Sequence, residues 1–461
     1  MDSAEPLTLN GSGDGNGALR KGGAGVTALT APVTLGSDTT IGLDGSATLA
    51  LSNVLAGPYV VTATGNGTLA LDTNNTFTGG VTLSGAIVNV NANRALGPGA
   101  VNISGAGRFV FGEGLTITNA FVAGSASPGI ATGLLMMNNS TNGAITTVTG
   151  PITLNALAAN GGHFAGPVAS GYLNVAGSVT MPGAGSGYVL LVRLGNVRFS
   201  GVSSGYDYIE VREGTTSLGA DNAIAASAVL DLAGNGSASF DLNGFNQSLA
   251  GLKNTVGPAN LGMVTNGSAT LRTLTLDLGG NSYAFGGNLS GSFGLTVKNG
   301  TQTLTGTNNY TGNTTVNGGV LQLATATLAT SATVLVTNGA ILQMDFAGTN
   351  QVAGLVLNGV SQPAGVYNSS TSPTFLAGAG SLRVQSIATN PTNITAVVSG
   401  GQYDLSWPAS HTGWRLQSQT NSLSVGLSGT WFDVTGSTTT NHVIIPINPA
   451  NGSVFFRLIN P

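Results

Sequence analysis

Asn74-Asn75-Thr76-Phe77-Thr78-Gly79-Gly80-Val81-Thr82-Leu83-Ser84-Gly85-Ala86-Ile87-Val88-Asn89-Val90 returns 233 residues downstream as Thr307-Asn308-Asn309-Tyr310-Thr311-Gly312-Asn313-Thr314-Thr315-Val316-Asn317-Gly318-Gly319-Val320-Leu321-Gln322-Leu323. Each copy reads as aromatic, corner, short strand, Asn-Gly or Ser-Gly corner, short strand. Apolar residues recur at period two within the strands, and the corners carry glycine, which supplies the positive φ of a tight turn. The correspondence continues: Val101, Ile103, Phe109 and Phe111 fall on Val334, Val336, Leu342 and Met344. A single such unit cannot bury its own apolar face, whereas copies stacked above and below it can. A second echo, Asp241-Leu242-Asn243-Gly244-Phe245-Asn246-Gln247, returns as Asp345-Phe346-Ala347-Gly348-Thr349-Asn350-Gln351.

These repeats predict an all-β chain whose core is a column. At roughly 20–25 residues per winding, residues 7–385 would supply about 15–19 coils, a rod of roughly 70–90 Å at the spacing of neighbouring strands. Inward Val, Leu, Ile and Phe are expected to form ladders, and corner Asn side chains to bond to their copies one coil away. The repeat is faintest over residues 112–240, where regular coils and an insertion are both open.

Composition agrees. Charged residues make up 7% of the 461 positions and hydrophobic ones 41%, with 72 glycines. Disorder couples low hydrophobicity to high net charge, so this mixture describes short stacked strands instead. The net charge is −4, and no Lys/Arg stripe exists to neutralise a phosphate backbone, which argues against nucleic-acid binding. No helical run of about 20 apolar residues is present to span a bilayer. Cysteine is absent, which excludes disulfides and thiol chemistry and fits a protein that travels unfolded to an oxidising exterior. Met1-Asp2-Ser3-Ala4-Glu5-Pro6 has neither the basic nor the apolar region of a signal peptide, so either the chain is mature or truncated, with truncation the favoured expectation, or it is not exported.

The pattern changes near Ser386. Residues 386–393, with Pro391, read as a linker between a solenoid at 1–385 and a terminal unit at 394–461. The terminal unit holds all three tryptophans, Trp407, Trp414 and Trp431. Its strand candidates are 394–398, 402–407, 414–419, 430–434, 442–447 and 453–458, a set that suits a small β-sandwich of the fibronectin type III kind.

The two long repeats resemble the autotransporter-associated β-strand repeat, the passenger-associated unit of bacterial exported proteins. Leu304 to Leu321 carry the likeness, above all Asn308-Asn309-Tyr310-Thr311-Gly312 with the Gly318 corner behind it. The tail from Tyr403 to Trp407, through Trp414 to Leu458, looks like the terminal sandwich of secreted proteins from verrucomicrobial-type bacteria. The resemblance implies a right-handed parallel β-helix (a β-solenoid), export, and a surface or extracellular role. The chain departs from a complete autotransporter in showing no C-terminal run of long alternating strands for a membrane barrel.

Chemistry is thinly represented. Glycoside hydrolysis needs two carboxylates about 5–9.5 Å apart, and 17 acidic residues leave few places for them. The best window is Asp207-Tyr208-Ile209-Glu210-Val211-Arg212-Glu213. In a strand, Tyr208, Glu210 and Arg212 share one face, which either offers a glycan a platform, a carboxylate and a guanidinium or is a solvated face with an ion pair. Trp407 is read as core, whereas Trp414 and Trp431 are open between core packing and contact with a sugar ring. His163 is read at a corner, and His411 and His442 on loops or exposed strand ends. No His has a second ligand at metal spacing, so no cofactor or metal is expected. No catalytic residue is assigned. The expectation is a non-catalytic structural or adhesive protein acting as a spacer with repeated weak faces, meeting polysaccharide or other surface components. Its rivals are a carbohydrate-active enzyme or glycan-binding protein, and a self-assembling fibre subunit.

Overall fold

Alternating short strands separated by glycine corners wind into a parallel β-solenoid. The computed structural model describes residues 5–105, 107–124, 134–137, 143–155, 163–182, 187–232, 238–254, 262–385 and 391–460. One parallel sheet runs from Leu7–Gly11 to Ser203–Ser204, a second from Gly25–Leu29 to Gly251–Lys253, and a third from Thr116–Ile117 to Asn308–Tyr310. Further parallel sheets that begin at Gln247–Leu249 and Ser282–Phe285 carry the winding onward. It makes about 14 turns, or about 65 Å at a strand spacing of roughly 4.8 Å. That is shorter than the repeats alone predict, because some turns are long. Val81 pairs with Val101 and Val101 with Phe121, whereas Phe121 pairs with Ile152. The coils continue through 112–240 wherever that segment is described, as the pairing of Ile152 with Val179 and of Val179 with Ser203 attests.

The two long repeats fold alike. Val81–Ser84 and Ile87–Val90 match Thr314–Val316 and Gly319–Leu323. Val101 stacks on Val81 as Val334 stacks on Thr314, so the 233-residue correspondence extends into the next coil. The corner glycines Gly85 and Gly318 have φ of 101° and 103°, a region that side chains disfavour. A Cβ on Gly79 would lie 2.2 Å from the Tyr59 carbonyl carbon, and one on Gly312 would lie 2.5 Å from the Gly294 nitrogen. Close approach of coil to coil therefore fixes glycine at both positions.

The interior is a column of buried aliphatics with aromatic stacks. Phe121 packs edge-on against Phe109 and Phe111 with ring centroids 5.6 and 6.1 Å apart. The aromatic Tyr310 stacks on Phe293 at 5.3 Å and shares a hydrogen bond of 2.7 Å with the Thr314 hydroxyl. Burial, offset in part by that bond, raises its phenol above the ordinary range.

The expected ladders of corner amides are corrected: Asn91 and Asn299 donate to Asp72 and Asp277 one coil away, not to an Asn copy, and interior amides bond to backbone. Gln247 accepts from the Ile224 N–H and donates back to the Ile224 carbonyl. Gln302 treats Leu252 in the same way, and Asn350 treats Leu328. Asn75 bridges two coils, accepting from Leu55 N–H and donating to the Ala95 carbonyl. The buried amide at Gln247 thus corresponds structurally to Asn350, so the second sequence echo slips by one position in space.

Antiparallel strands end the column. Val360–Ser361 folds back on Gly354–Leu357, and Gly365–Asn368 runs against Ser381–Val384. Of the joint read at 386–393, residues 386–390 lie outside the described residues. Beyond it, Thr395–Ser399, Gln402–Ser406 and His442–Pro446 form one antiparallel sheet. Phe432–Asp433, Arg415–Asn421 and Ser453–Ile459 form another. The two sheets meet over a small core of Leu405, Trp407 and Leu416.

Candidate functional site

The strand Tyr208–Val211 alternates as its sequence dictates, with Ile209 and Val211 buried and Tyr208 and Glu210 half-buried on the outer face. Arg212 donates from Nε to Glu210 Oε1. Parallel, in-register pairing then extends this pair into a ladder. Glu210 lies beside Asp231 on Val229–Leu232, and Asp231 lies beside Lys253 on Gly251–Lys253. Lys253 Nζ is 3.3 Å from Asp231 Oδ2, and it also sits 4.0 Å from the centroid of the Tyr208 ring. Asp231 is only 4% exposed, with the Lys253 ammonium lying against it.

Gly251 holds the last part of the cluster. It pairs with Val229, two strands from Tyr208, and the Tyr283 ring lies directly over it. A Cβ there would come within 2.4 Å of Tyr283 Cδ2. The Tyr283 phenol is shifted upward by burial and, secondarily, by the nearby Tyr208 and Asp207. In a chain with 30 charged side chains (13 basic, 17 acidic), Glu210, Arg212, Asp231 and Lys253 set two ion pairs side by side on adjacent strands. Each carboxylate has its own cation and the half-buried Tyr208 ring carries the lysine, so the cluster is internally neutralised.

The structure therefore brings together Tyr208, Glu210 and Arg212 and adds Asp231, Lys253 and Tyr283. Reading along the sequence misses these three because they arrive from later coils. For Asp231 in Val229–Leu232 and Lys253 in Gly251–Lys253 the only signal is a charge on the outward phase of a strand, and for Tyr283 there is none.

The other singled-out residues lie apart from this cluster. Trp407 is buried, and its indole Nε1 has no hydrogen-bond partner. Trp414 turns inward at 5% exposure, its ring centroid 5.0 Å from that of His411. Trp431 is half-buried, with the Arg457 guanidinium 4.3 Å above its ring. His411 occupies a short helical turn and is buried there instead of exposed. His442 is exposed, with Nε2 2.6 Å from Asp404 Oδ1.

For His163, read at a corner, the preceding residues 160–162 lie outside the described ones. His163 itself sits inside the ladder. Its N–H bonds to the Leu191 carbonyl, its carbonyl accepts from Leu135, and Nδ1 accepts from the Leu191 N–H. Nε2 is buried without a partner, and burial lowers the imidazole to about 4. Among the described residues, no group of three or more His, Asp or Glu side chains converges as a metal site requires.

Residues 61–90 and 299–323 match the family described as the passenger-associated-transport-repeat. The two windows contain the paired segments 74–90 and 307–323. Comparison with curated proteins and with solved structures returned no match. The repeats and the parallel solenoid together fit a passenger-type surface protein of the autotransporter kind, and that family implies an extracellular or surface location. No helix among the described residues is long and apolar enough to cross a membrane.

Proposed function

We propose that the chain is a non-catalytic, exported structural and adhesive protein. In this reading residues 1–385 form a rod-like spacer, 386–393 a linker and 394–461 a fibronectin-III-like terminal module. The observation that carries it is the stacking of parallel coils throughout the described residues of the solenoid, which places the apolar side chains in the column and leaves walls of hydroxyls and amides. Such walls offer many similar weak contacts, and multivalency multiplies them.

The ladder of Glu210, Asp231 and Lys253 supports a wall feature over an acid–base pair, since each carboxylate is committed to its own cation. A glycan resting on Tyr208, Glu210 and Arg212 would first have to displace Lys253 from the tyrosine ring. On Trp431 it would have to displace Arg457, and on Trp414 it would need the ring to turn outward.

Two measurements test the reading. Reducing-sugar and unsaturated-uronate assays over a polysaccharide panel should show no turnover, and robust turnover lost in Glu210→Gln would overturn it. Chain-coated beads should adhere to polysaccharide surfaces or to one another nearly equally at low and high salt, because few charges are available to screen. Adhesion abolished by salt would contradict it.

A further inference from the structure

The two terminal sheets do not close evenly. At one end Leu416 pairs with Leu458, and both pack with Leu405 and Trp407. Moving along Arg415–Asn421, the next inward pairs are Ser418 with Phe456 and Thr420 with Val454. Ser418 is half-buried and Thr420 exposed, so within two strand steps the closed aliphatic core gives way to an open, hydroxyl-lined gap. Opposite, Tyr403 faces Phe456 edge-on with centroids 5.6 Å apart. Between the sheets here lies a cleft of about 220 Å³, rimmed by Asn448 and Asn451 on the turn before Ser453–Ile459.

A sandwich that spent these positions on stability would carry Val or Ile at 418 and 420, since inward positions of both sheets normally fill the core. Serine and threonine there leave the sheets unfilled, and among the described residues neither hydroxyl has a hydrogen-bond partner. Stability forgone at an open, polar-lined cleft is the mark of a binding site.

We infer that this cleft binds one residue of a neutral polysaccharide chain. No charged side chain lines it, so phosphate, sulfate or uronate groups would lose their hydration without a counter-charge. Hydroxyls and amides at the rim match the vicinal hydroxyls of a sugar. The Tyr403 and Phe456 rings match its C–H faces, which are apolar. The volume holds about one pyranose and the cleft is open, so a chain can continue past it. This site is separate from the outer-wall cluster and from the spacer reading, and neither depends on it.

The test is calorimetry of the full chain against hexaoses of β-1,4-linked and β-1,3-linked glucose and β-1,4-linked mannose. A galacturonate hexamer, a sulfated hexaose and decaproline complete the set. At least one neutral hexaose should bind below about 1 mM. That affinity should fall about 10-fold or more in the Ser418→Val/Thr420→Val double variant, whose thermal unfolding stays the same or rises because the new side chains fill the cleft. Four outcomes would overturn the proposal. They are no binding by any neutral hexaose, preference for the charged oligomers, binding of decaproline in their place, and neutral binding that survives the double variant.

Discussion

The coils and the terminal sheets are built from the same kind of short alternating strand, yet they bury very different things. In the column, Phe109, Phe111 and Phe121 are at most 1% exposed, as are the aliphatics stacked around them. In the terminal sheets, Val398, Phe432 and Ile444 are more than half exposed, and the core rests on Leu405, Trp407 and Leu416. The difference is one of surface to volume. Each added coil is covered above and below, so the column gains core in proportion to its length. A pair of three-stranded sheets has only one interface to fill and leaves the rest of its apolar surface to water.

The placement of the tryptophans makes this contrast measurable. All three lie at 407–431, so their fluorescence reports the terminal sheets while far-ultraviolet dichroism is dominated by the column. In urea, fluorescence should change at lower denaturant than dichroism, and coincident transitions would break the contrast. Phe121→Ala should have the largest effect, about 3–5 kcal/mol. It should move the dichroism transition and leave fluorescence unmoved, whereas Phe432→Ala should shift either by less than about 0.5 kcal/mol.

Acid comes next. The buried His163 stays neutral down to about 4, while the unfolded chain takes up that proton near 6.5. The unfolded state therefore binds more protons across this window, and column stability should fall as pH drops from about 6.5 to about 4, by about 3 kcal/mol in all. His163→Gln should flatten that slope in the dichroism transition. An unchanged slope would show that other groups are responsible.

Gly85→Ala and Gly318→Ala sharpen the comparison within the column. Both glycines have φ near 100°, so each variant should lose about 1–2 kcal/mol, with Gly85→Ala the more costly because its Cβ would meet the Gly65 carbonyl oxygen at 2.7 Å, whereas the nearest atom at Gly318 is Asn299 Oδ1 at 3.4 Å. The smallest effect belongs to Glu210→Gln, whose partly exposed pair with Arg212 should contribute less than about 1 kcal/mol to stability.

Much of this architecture is legible in the chain. The period-two strands, the glycine corners and the 233-residue correspondence lead directly to stacked coils. The six terminal strands also lie within a few residues of their expected places. What sequence could not supply is everything that depends on how far the chain travels between coils. Phe121 to Ile152 is one turn, as is Val81 to Val101. The neighbours of Glu210 were hidden for that reason, since Asp231 and Lys253 reach it only through the registers of two later strands. The slip between Gln247 and Asn350 has the same origin. Either amide length can clamp a neighbouring backbone, so the sequence echo preserves the residue types and not the position that turns inward. The hydroxyls at Ser418 and Thr420 read as ordinary strand residues until the facing sheet shows that they share the phase of Leu416 and line the cleft between the sheets.

The central claim is that successive windings lie directly over one another. The absence of cysteine leaves a clean background for testing it. Thr62 pairs with Thr82, and Thr82 with Asn102, all on the outer face of adjacent coils. Neighbouring strands lie about 4.8 Å apart, within disulfide reach, and alternate strands about twice that, beyond it. Under mild oxidation, T62C/T82C and T82C/N102C should each cross-link within the chain while T62C/N102C does not. Failure of both adjacent pairs, or equal cross-linking of all three, would contradict the stacked column.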